Sequence, residues 1–212
     1  MKNIVVLDGY TLNPGDLDWS SIENYGNLTI YDRSTESEIF ERCKDAEIII
    51  TNKCKLEEKL LNQLPKLEYI AVSATGYNIV DIKAAKEKNI FVSNVPGYGT
   101  GAVAQHVFAM ILTITNRIAA NVSTVNKGKW ANHLDWCYWE YPITAVEDKI
   151  LGIVGFGAIG QRVAKIGRAL GMQVIVNDRS PEKKEPAGAK FVDLATVFQE
   201  SDFLTLHCPL TP

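Results

Sequence analysis

Short runs rich in Ile and Val recur through the first ninety residues, at Ile4–Leu7, Leu28–Tyr31, Ile48–Ile50, Tyr69–Val72 and Ile90–Val92. They are continuously apolar rather than alternating, as expected for strands buried on both faces. Helical stretches lie between them. Thr35 and Glu38 fit a capping box ahead of Glu36–Cys43, Leu56–Leu64 runs up to Pro65, and Asp81–Lys88 has the same character. Apolar strands separated by helices predict a parallel sheet covered on both faces. Residues 1–100 therefore read as a complete small α/β domain.

The pattern changes over residues 101–149. From Gly101 to Val125 there is no proline and no internal glycine, and apolar residues occupy most of the helical circumference. A helix apolar all round must be buried on all sides. His106, Gln105 and Asn116 interrupt it too often for a membrane span. A helix between domains that also packs on a second copy of the chain accounts for this pattern, with a core helix of a monomer as the alternative. Lys127–Asp148 reads as an irregular arm holding Trp130, Trp136 and Trp139, three of the four tryptophans, with Tyr138 and Tyr141. Rings this dense in a loop are typical of interface anchors; an arm folded back onto its own subunit is the other reading.

Residues 150–212 return to strands and helices, with runs at Ile150–Val154, Gln173–Asn177, Lys190–Val192 and Phe203–His207. The first is followed by Gly155-x-Gly157-x-x-Gly160, a helical segment closed by Gly171, the second run, and Asp178. A G-x-G-x-x-G alone is weak, and a ligand-free strand–turn–helix is the plain alternative. In this context each glycine has a separate task. Gly155 permits the turn, Gly157 lets backbone approach a pyrophosphate, and Gly160 allows close packing of helix on sheet. Ala158 and Ile159 open the helix, where free N–H groups and a partial positive charge favour phosphate. Asp178 can accept from adenosine ribose hydroxyls and would repel a 2′-phosphate, so NAD is expected rather than NADP. Arg179 beside it keeps NADP open.

Composition narrows the class. Hydrophobic residues are 46% and charged residues 22% of 212, with a formal net charge of −3, which suits a globular protein with an ample core. No block of like charge suggests nucleic acid or an anionic membrane. Cys43, Cys54, Cys137 and Cys208 lack CxxC spacing, and three histidines form no metal-ligand cluster. The apolar run at the N-terminus is too short for a signal peptide or a membrane span. A soluble cytoplasmic protein with free thiols is expected.

Several further motifs fall in order along the chain: Ala74-Thr75-Gly76-Tyr77, Asp81, Asn94-Val95-Pro96, Val103-Ala104-Gln105-His106, Gly128-Lys129-Trp130, the glycine fingerprint, and Leu206-His207-Cys208-Pro209-Leu210-Thr211-Pro212. Together they resemble the D-isomer-specific 2-hydroxyacid dehydrogenase family, and VVLDGYTLNPGD with PGYGTGAVAQHVFAMIL looks most like its glycerate dehydrogenase (hydroxypyruvate reductase) branch. The resemblance implies two doubly wound parallel-sheet domains, a flavodoxin-like substrate domain and a Rossmann NAD-binding domain, with the active site in the cleft between them. It implies NAD-dependent hydride transfer between a 2-oxo acid and a D-2-hydroxy acid, most closely hydroxypyruvate and D-glycerate; the apolar helix and the tryptophan-bearing arm predict a homodimer. Ala74, Thr75 and Gly76 would hold the substrate carboxylate on backbone N–H groups; a glycine turn after a strand can form an anion-binding nest. His207, Cys208 and Pro209 would line the nicotinamide side. Tyr98 and Trp139 are candidate specificity residues, with packing as the alternative for each.

The family's arginine, glutamate and histidine lie C-terminal to the LHCPLTP segment, so no catalytic residue is assigned here. His106, amid apolar neighbours, reads as packing. A six-stranded sheet would need two strands more than the four found before Pro212, so the NAD-binding domain is expected to be incomplete and the 212 residues alone inactive. Two other readings stand beside the enzyme: an NAD-binding corepressor or sensor module on the same scaffold, and an inactive truncated fragment.

Overall fold

A computed structural model describes residues 1–183 and 188–208. The chain divides into two compact units, Met1–Tyr98 and Gly99–Pro212. In the first, the elements in order are β1 (Lys2–Val6), α1 (Gly9–Leu12), α2 (Ser20–Glu23), β2 (Gly26–Ile30), α3 (Glu36–Cys43), β3 (Ile48–Thr51), α4 (Glu58–Leu61), β4 (Tyr69–Val72), α5 (Ile82–Glu87) and β5 (Phe91–Ser93). All strand pairs are parallel, in the order β2-β1-β3-β4-β5, the flavodoxin-like arrangement. Alternate residues of β1 explain the continuous apolar run. Val5 joins the core with Ile39, Cys43, Leu61 and Ala85, while Ile4 and Val6 pack against Leu12, Trp19 and Ile22. Both faces of the sheet are thus covered.

The helices follow local rules, with one revision. At α3 the Glu38 carboxylate accepts from the Thr35 N–H at 2.8 Å and from its hydroxyl at 2.7 Å. Asp81 caps α5 by accepting from the Ala84 N–H at 3.0 Å. Leu56–Leu64 is not one helix: α4 covers only Glu58–Leu61. Leu56 instead forms a parallel bridge with Val80, bonded on both sides to the backbone of Ile79 and Asp81. A fully buried leucine paired to an extended segment cannot also be helical.

The second unit holds α6 (Thr100–Asn116), α7 (Ile118–Asn126), β6 (Ile150–Val154), α8 (Ala158–Ala169), β7 (Gln173–Asn177), β8 (Lys190–Phe191), α9 (Leu194–Glu200) and β9 (Phe203–Leu206). Its parallel strands run β8-β7-β6-β9, matching the first four strands of the Rossmann order. Leu151 and Ile153 of β6 pack with Phe108 and Ile111 of α6 and Val163 and Ala164 of α8. Gly152 faces Val197 of α9 and Ser201, the residue that follows it.

The long apolar segment departs from expectation. It breaks at Arg117, whose φ of 51° is left-handed, into α6 and α7. The Asn121 side chain donates to Asn116 O at 3.0 Å and the Asn116 amide to Leu112 O at 3.1 Å, so carbonyls at the break are satisfied. Nor is the segment buried all round. Ala104, Val107, Phe108 and Ile111 are buried, whereas Val103, Met110, Ile114, Ile118, Val122 and Val125 form an exposed stripe. The arm is tied to α7 by a Thr124–Tyr138 hydroxyl bond of 2.7 Å, yet Trp136 and Trp139 stay 87% and 80% exposed. Among the described residues no helix is long and apolar enough to cross a membrane, and no cluster of His, Cys, Asp or Glu is placed to hold a metal.

The break gives a test of sign. Glycine occupies a left-handed position without the roughly 1–2 kcal/mol that a side chain costs, but costs about 1 kcal/mol inside a helix. Arg117→Gly should raise stability by up to about 1 kcal/mol in chemical denaturation. A loss of that size would mean a continuous helix.

Candidate functional site

The glycine turn lies between β6 and α8, and its three glycines are glycine for different reasons. Gly155 has φ of +92°, and a Cβ there would come within 2.6 Å of the Cys208 nitrogen. On Gly160 a Cβ would overlap the Gly155 carbonyl oxygen, so the helix could not close on the strand. Gly157 has ordinary extended backbone and nothing within 4 Å of its would-be Cβ. Of the three glycines, it is the one with open space on its side-chain side. The Ala158 and Ile159 N–H groups at the start of α8 donate to no acceptor among the described residues. Open backbone beside free helix N-terminal donors is a geometry that accepts a phosphate group.

Asp178 follows β7 and reaches across to this turn. Its carboxylate accepts from the Phe156 N–H at 2.7 Å and the Ser180 N–H at 3.0 Å. Arg179 is exposed at the next position. On the other side of β6, His207 continues the β9 ladder, its N–H donating to Val154 O at 2.7 Å. Its Nε2, with the Thr205 hydroxyl two residues earlier on the same face, is buried without a hydrogen-bond partner among the described residues. Burial holds the His207 pKa below its ordinary 6.5, so the imidazole is neutral at physiological pH. Cys208 is an exposed free thiol. Gly155, Gly157, Ala158, Ile159, Gly160, Asp178, His207 and Cys208 thus gather at the C-terminal end of β6, beside the β6–β9 crevice where such sheets take ligands. Pro209 lies outside the described residues.

In the first unit, Ala74, Thr75 and Gly76 follow β4. The loop is braced by Val95 N–H to Ala74 O at 3.0 Å, the Thr75 hydroxyl to Val95 O at 3.0 Å, and the Asn94 amide to Thr75 O at 2.8 Å. The N–H groups of Thr75 and Gly76 are exposed and make no bond among the described residues. Gly76 is not left-handed, so the alternating conformation of a nest is absent; two solvent-facing donors on a fixed loop remain. Tyr98 lines a separate cleft of about 570 Å³ with Trp19, Asn52 and Ser73.

Asp8 was missed by sequence reasoning. It is 3% exposed, and its carboxylate accepts from the Asn52 N–H at 3.0 Å and the Lys53 N–H at 2.5 Å. It therefore fixes the loop after β3 and holds exposed Lys53 at the edge of a cleft of about 540 Å³ that includes Arg33 and Cys54. A carboxylate directly after an apolar strand was the available signal.

Comparison with known proteins identifies one family along the chain. Residues 4–135 match the catalytic domain of the D-isomer specific 2-hydroxyacid dehydrogenases, and residues 108–212 match their NAD binding domain. A hydroxypyruvate reductase of Blautia hydrogenotrophica is 43% identical, the match covering 99% of this chain and 66% of the relative. A glycerate dehydrogenase of Methylorubrum extorquens is 37% identical over 100% of this chain and 65% of its own length. Among solved structures, an acyclic imino acid reductase in complex with NADPH and D-Arg has a TM-score of 0.81 at 30% identity, covering 99% of this chain and 66% of that one. The chain thus spans just under two thirds of the length of these relatives.

The glycine geometry separates two substitutions. Gly157→Ala should leave thermal stability unchanged but lower NADH affinity at least about tenfold, because the methyl fills the open side of the turn. Gly160→Ala should instead cost about 2 kcal/mol or more of stability by overpacking helix on strand. Thermal denaturation and NADH fluorescence titration of both variants would check this; equal losses of stability would refute it.

Proposed function

Because the chain belongs to the D-isomer-specific 2-hydroxyacid dehydrogenase family and carries its NAD-binding domain, we propose that the protein interconverts hydroxypyruvate and D-glycerate with NAD in preference to NADP. The observation that carries the reading is the turn with open space at Gly157 and the Asp178 carboxylate bonded to it. A bound NAD would supply hydride exchange at its nicotinamide. Ala158 and Ile159 would meet the pyrophosphate, and Asp178 the ribose hydroxyls. Arg179, beyond the strand, is exposed and free to turn to solvent. Neutral His207 and Cys208 would flank the crevice without placing a positive charge there. Thr75 and Gly76 would donate to the substrate carboxylate. The names of the two curated relatives support the choice of 2-oxo acid. No residue of the described chain is assigned to proton transfer. A cytoplasmic location goes with this reading, since all four cysteines are free thiols.

The test is NADH oxidation by the whole protein with hydroxypyruvate, glyoxylate and pyruvate, and with NADPH in place of NADH. Hydroxypyruvate should exceed the others by about tenfold in kcat/KM, the range one small group supplies. No NADH oxidation with any 2-oxo acid, or equal use of NADPH, would overturn it.

A second copy of the chain is the proposed partner, seated on the exposed stripe of α6 and α7 and on the tryptophans of the arm. Val103, Met110, Ile114, Ile118, Val122 and Val125 on the two helices and Trp130, Trp136 and Trp139 in the arm are all exposed, and apolar surface of this kind supports a protein contact. Sedimentation should show a dimer at micromolar concentration, and Met110→Glu with Ile114→Glu should dissociate it. A wild-type monomer would refute the assignment.

A further inference from the structure

We propose that Asp178 is a positioning residue for the phosphate turn, so that one carboxylate governs both nucleotide discrimination and the shape of the turn that holds the pyrophosphate. This rests on the nucleotide site proposed above and deepens it.

Phe156, the middle residue of the turn, is held at every group it has. Its ring is fully buried and meets Phe191 edge-on at 5.4 Å. Its carbonyl accepts from the Gln161 amide at 3.2 Å. Its N–H donates to Asp178 Oδ2 at 2.7 Å. The Gly155 N–H donates to Asn177 O at 2.8 Å. Consecutive residues at the end of β7 therefore bind consecutive residues of the turn, one through backbone and one through side chain. The Ser180 N–H on Asp178 Oδ1 at 3.0 Å fixes the rotation of the carboxylate.

The decisive element is the peptide between Gly155 and Phe156. Its carbonyl oxygen packs where a Gly160 side chain would otherwise lie, and its N–H is taken by Asp178. A planar peptide with its N–H held by a carboxylate and its oxygen close against Gly160 has little room to rotate. Glycine at position 155 removes the steric barrier to such rotation, so the grip must come from hydrogen bonding and packing. The orientation of this plane sets the path into Gly157 and the first turn of α8. Without Asp178 the Phe156 N–H loses a charged acceptor, the stronger class of hydrogen bond, and the plane is free to turn.

Charge and grip separate by substitution. Asp178→Asn removes the charge and keeps an acceptor oxygen; Asp178→Ala removes both. If the carboxylate acted only on the ligand, by repelling a 2′-phosphate and accepting from ribose hydroxyls, the nucleotide-free Asn and Ala variants would protect the Phe156 amide from hydrogen exchange equally; with the grip, the Ala variant loses protection that the Asn variant keeps. With the grip, Asp178→Asn gains NADPH affinity over wild type, while Asp178→Ala binds both NADH and NADPH about tenfold more weakly than Asp178→Asn, the loss of one hydrogen bond that leaves the Phe156 N–H without an acceptor. Fluorescence titration with NADH and NADPH reads this. Hydrogen exchange on the nucleotide-free wild type gives a second readout independent of any variant: the Phe156 amide should be protected. Indistinguishable Asn and Ala variants, or a rapidly exchanging Phe156 amide, overturn the proposal while leaving the nucleotide site intact. Wild-type protein that binds neither nucleotide overturns both together.

Discussion

Backbone approaches backbone around β6 more closely than side chains permit, and the second unit is arranged around that crowding. A Cβ on Gly152 would run into Val197 of α9 and Ser201, the residue that follows it; on Gly167 it would come within 2.7 Å of a Leu151 methyl carbon. Gly155 abuts the His207–Cys208 backbone and Gly160 abuts the Gly155 carbonyl. Helices on both faces and a neighbouring strand are thus drawn in to a separation only glycine allows. Such density brings α8 directly over the end of β6, so its free N–H groups emerge beside the turn. Packing fills the side-chain space at Gly155 and Gly160 and leaves that at Gly157 open.

Both units solve the same problem at their strand ends. Loops leaving the C-terminal edge of a parallel sheet carry N–H groups that have lost their ladder partners, and buried donors must find acceptors. Asp8 after β1 takes the N–H groups of Asn52 and Lys53 in the loop after β3. Asp178 after β7 takes that of Phe156 in the turn after β6. In each case a carboxylate ending one strand fixes the loop of its neighbour. An ionised carboxylate has lone pairs for several donors, so it can hold a loop and still face a ligand. At Asp8 burial is nearly complete and the structural task dominates, whereas Asp178 is only partly buried.

What was legible in the sequence depended on how local its cause is. The parallel sheets follow from doubly buried strands, which leave unbroken apolar runs, and strand ends fell within a few residues. The glycine spacing marked the turn because each glycine answers a steric demand a few residues away. The shortness of α4 was hidden because Leu56 pairs with Val80, a contact across the fold. The break at Arg117 was hidden because no glycine or proline announces it; asparagine side chains satisfy the carbonyls there instead. Gly76 misled in the other direction. A glycine after the strand suggested an anion-binding nest, but its φ is not left-handed and among the described residues only Asn78 lies within 4 Å of its would-be Cβ. The stripe on α6 and α7 was visible as apolar excess, yet periodicity could not say which half faces the unit's own core.

Nucleotide preference, in the proposed reading, turns on which charge is held still. Two opposite charges stand side by side at the end of β7, and a count of charge would cancel them. Their surroundings do not. Asp178 is fixed by two backbone N–H groups, so it acts on a ribose or a 2′-phosphate without further loss of side-chain freedom. Arg179 is exposed, and engaging a phosphate would cost the ordering of a long side chain, up to about 2 kcal/mol, for a screened interaction. The repulsion is prepaid in structure and the attraction is not. Such asymmetry favours NAD even though the local charges sum to zero, and it ties the preference to the same hydrogen bond that shapes the turn.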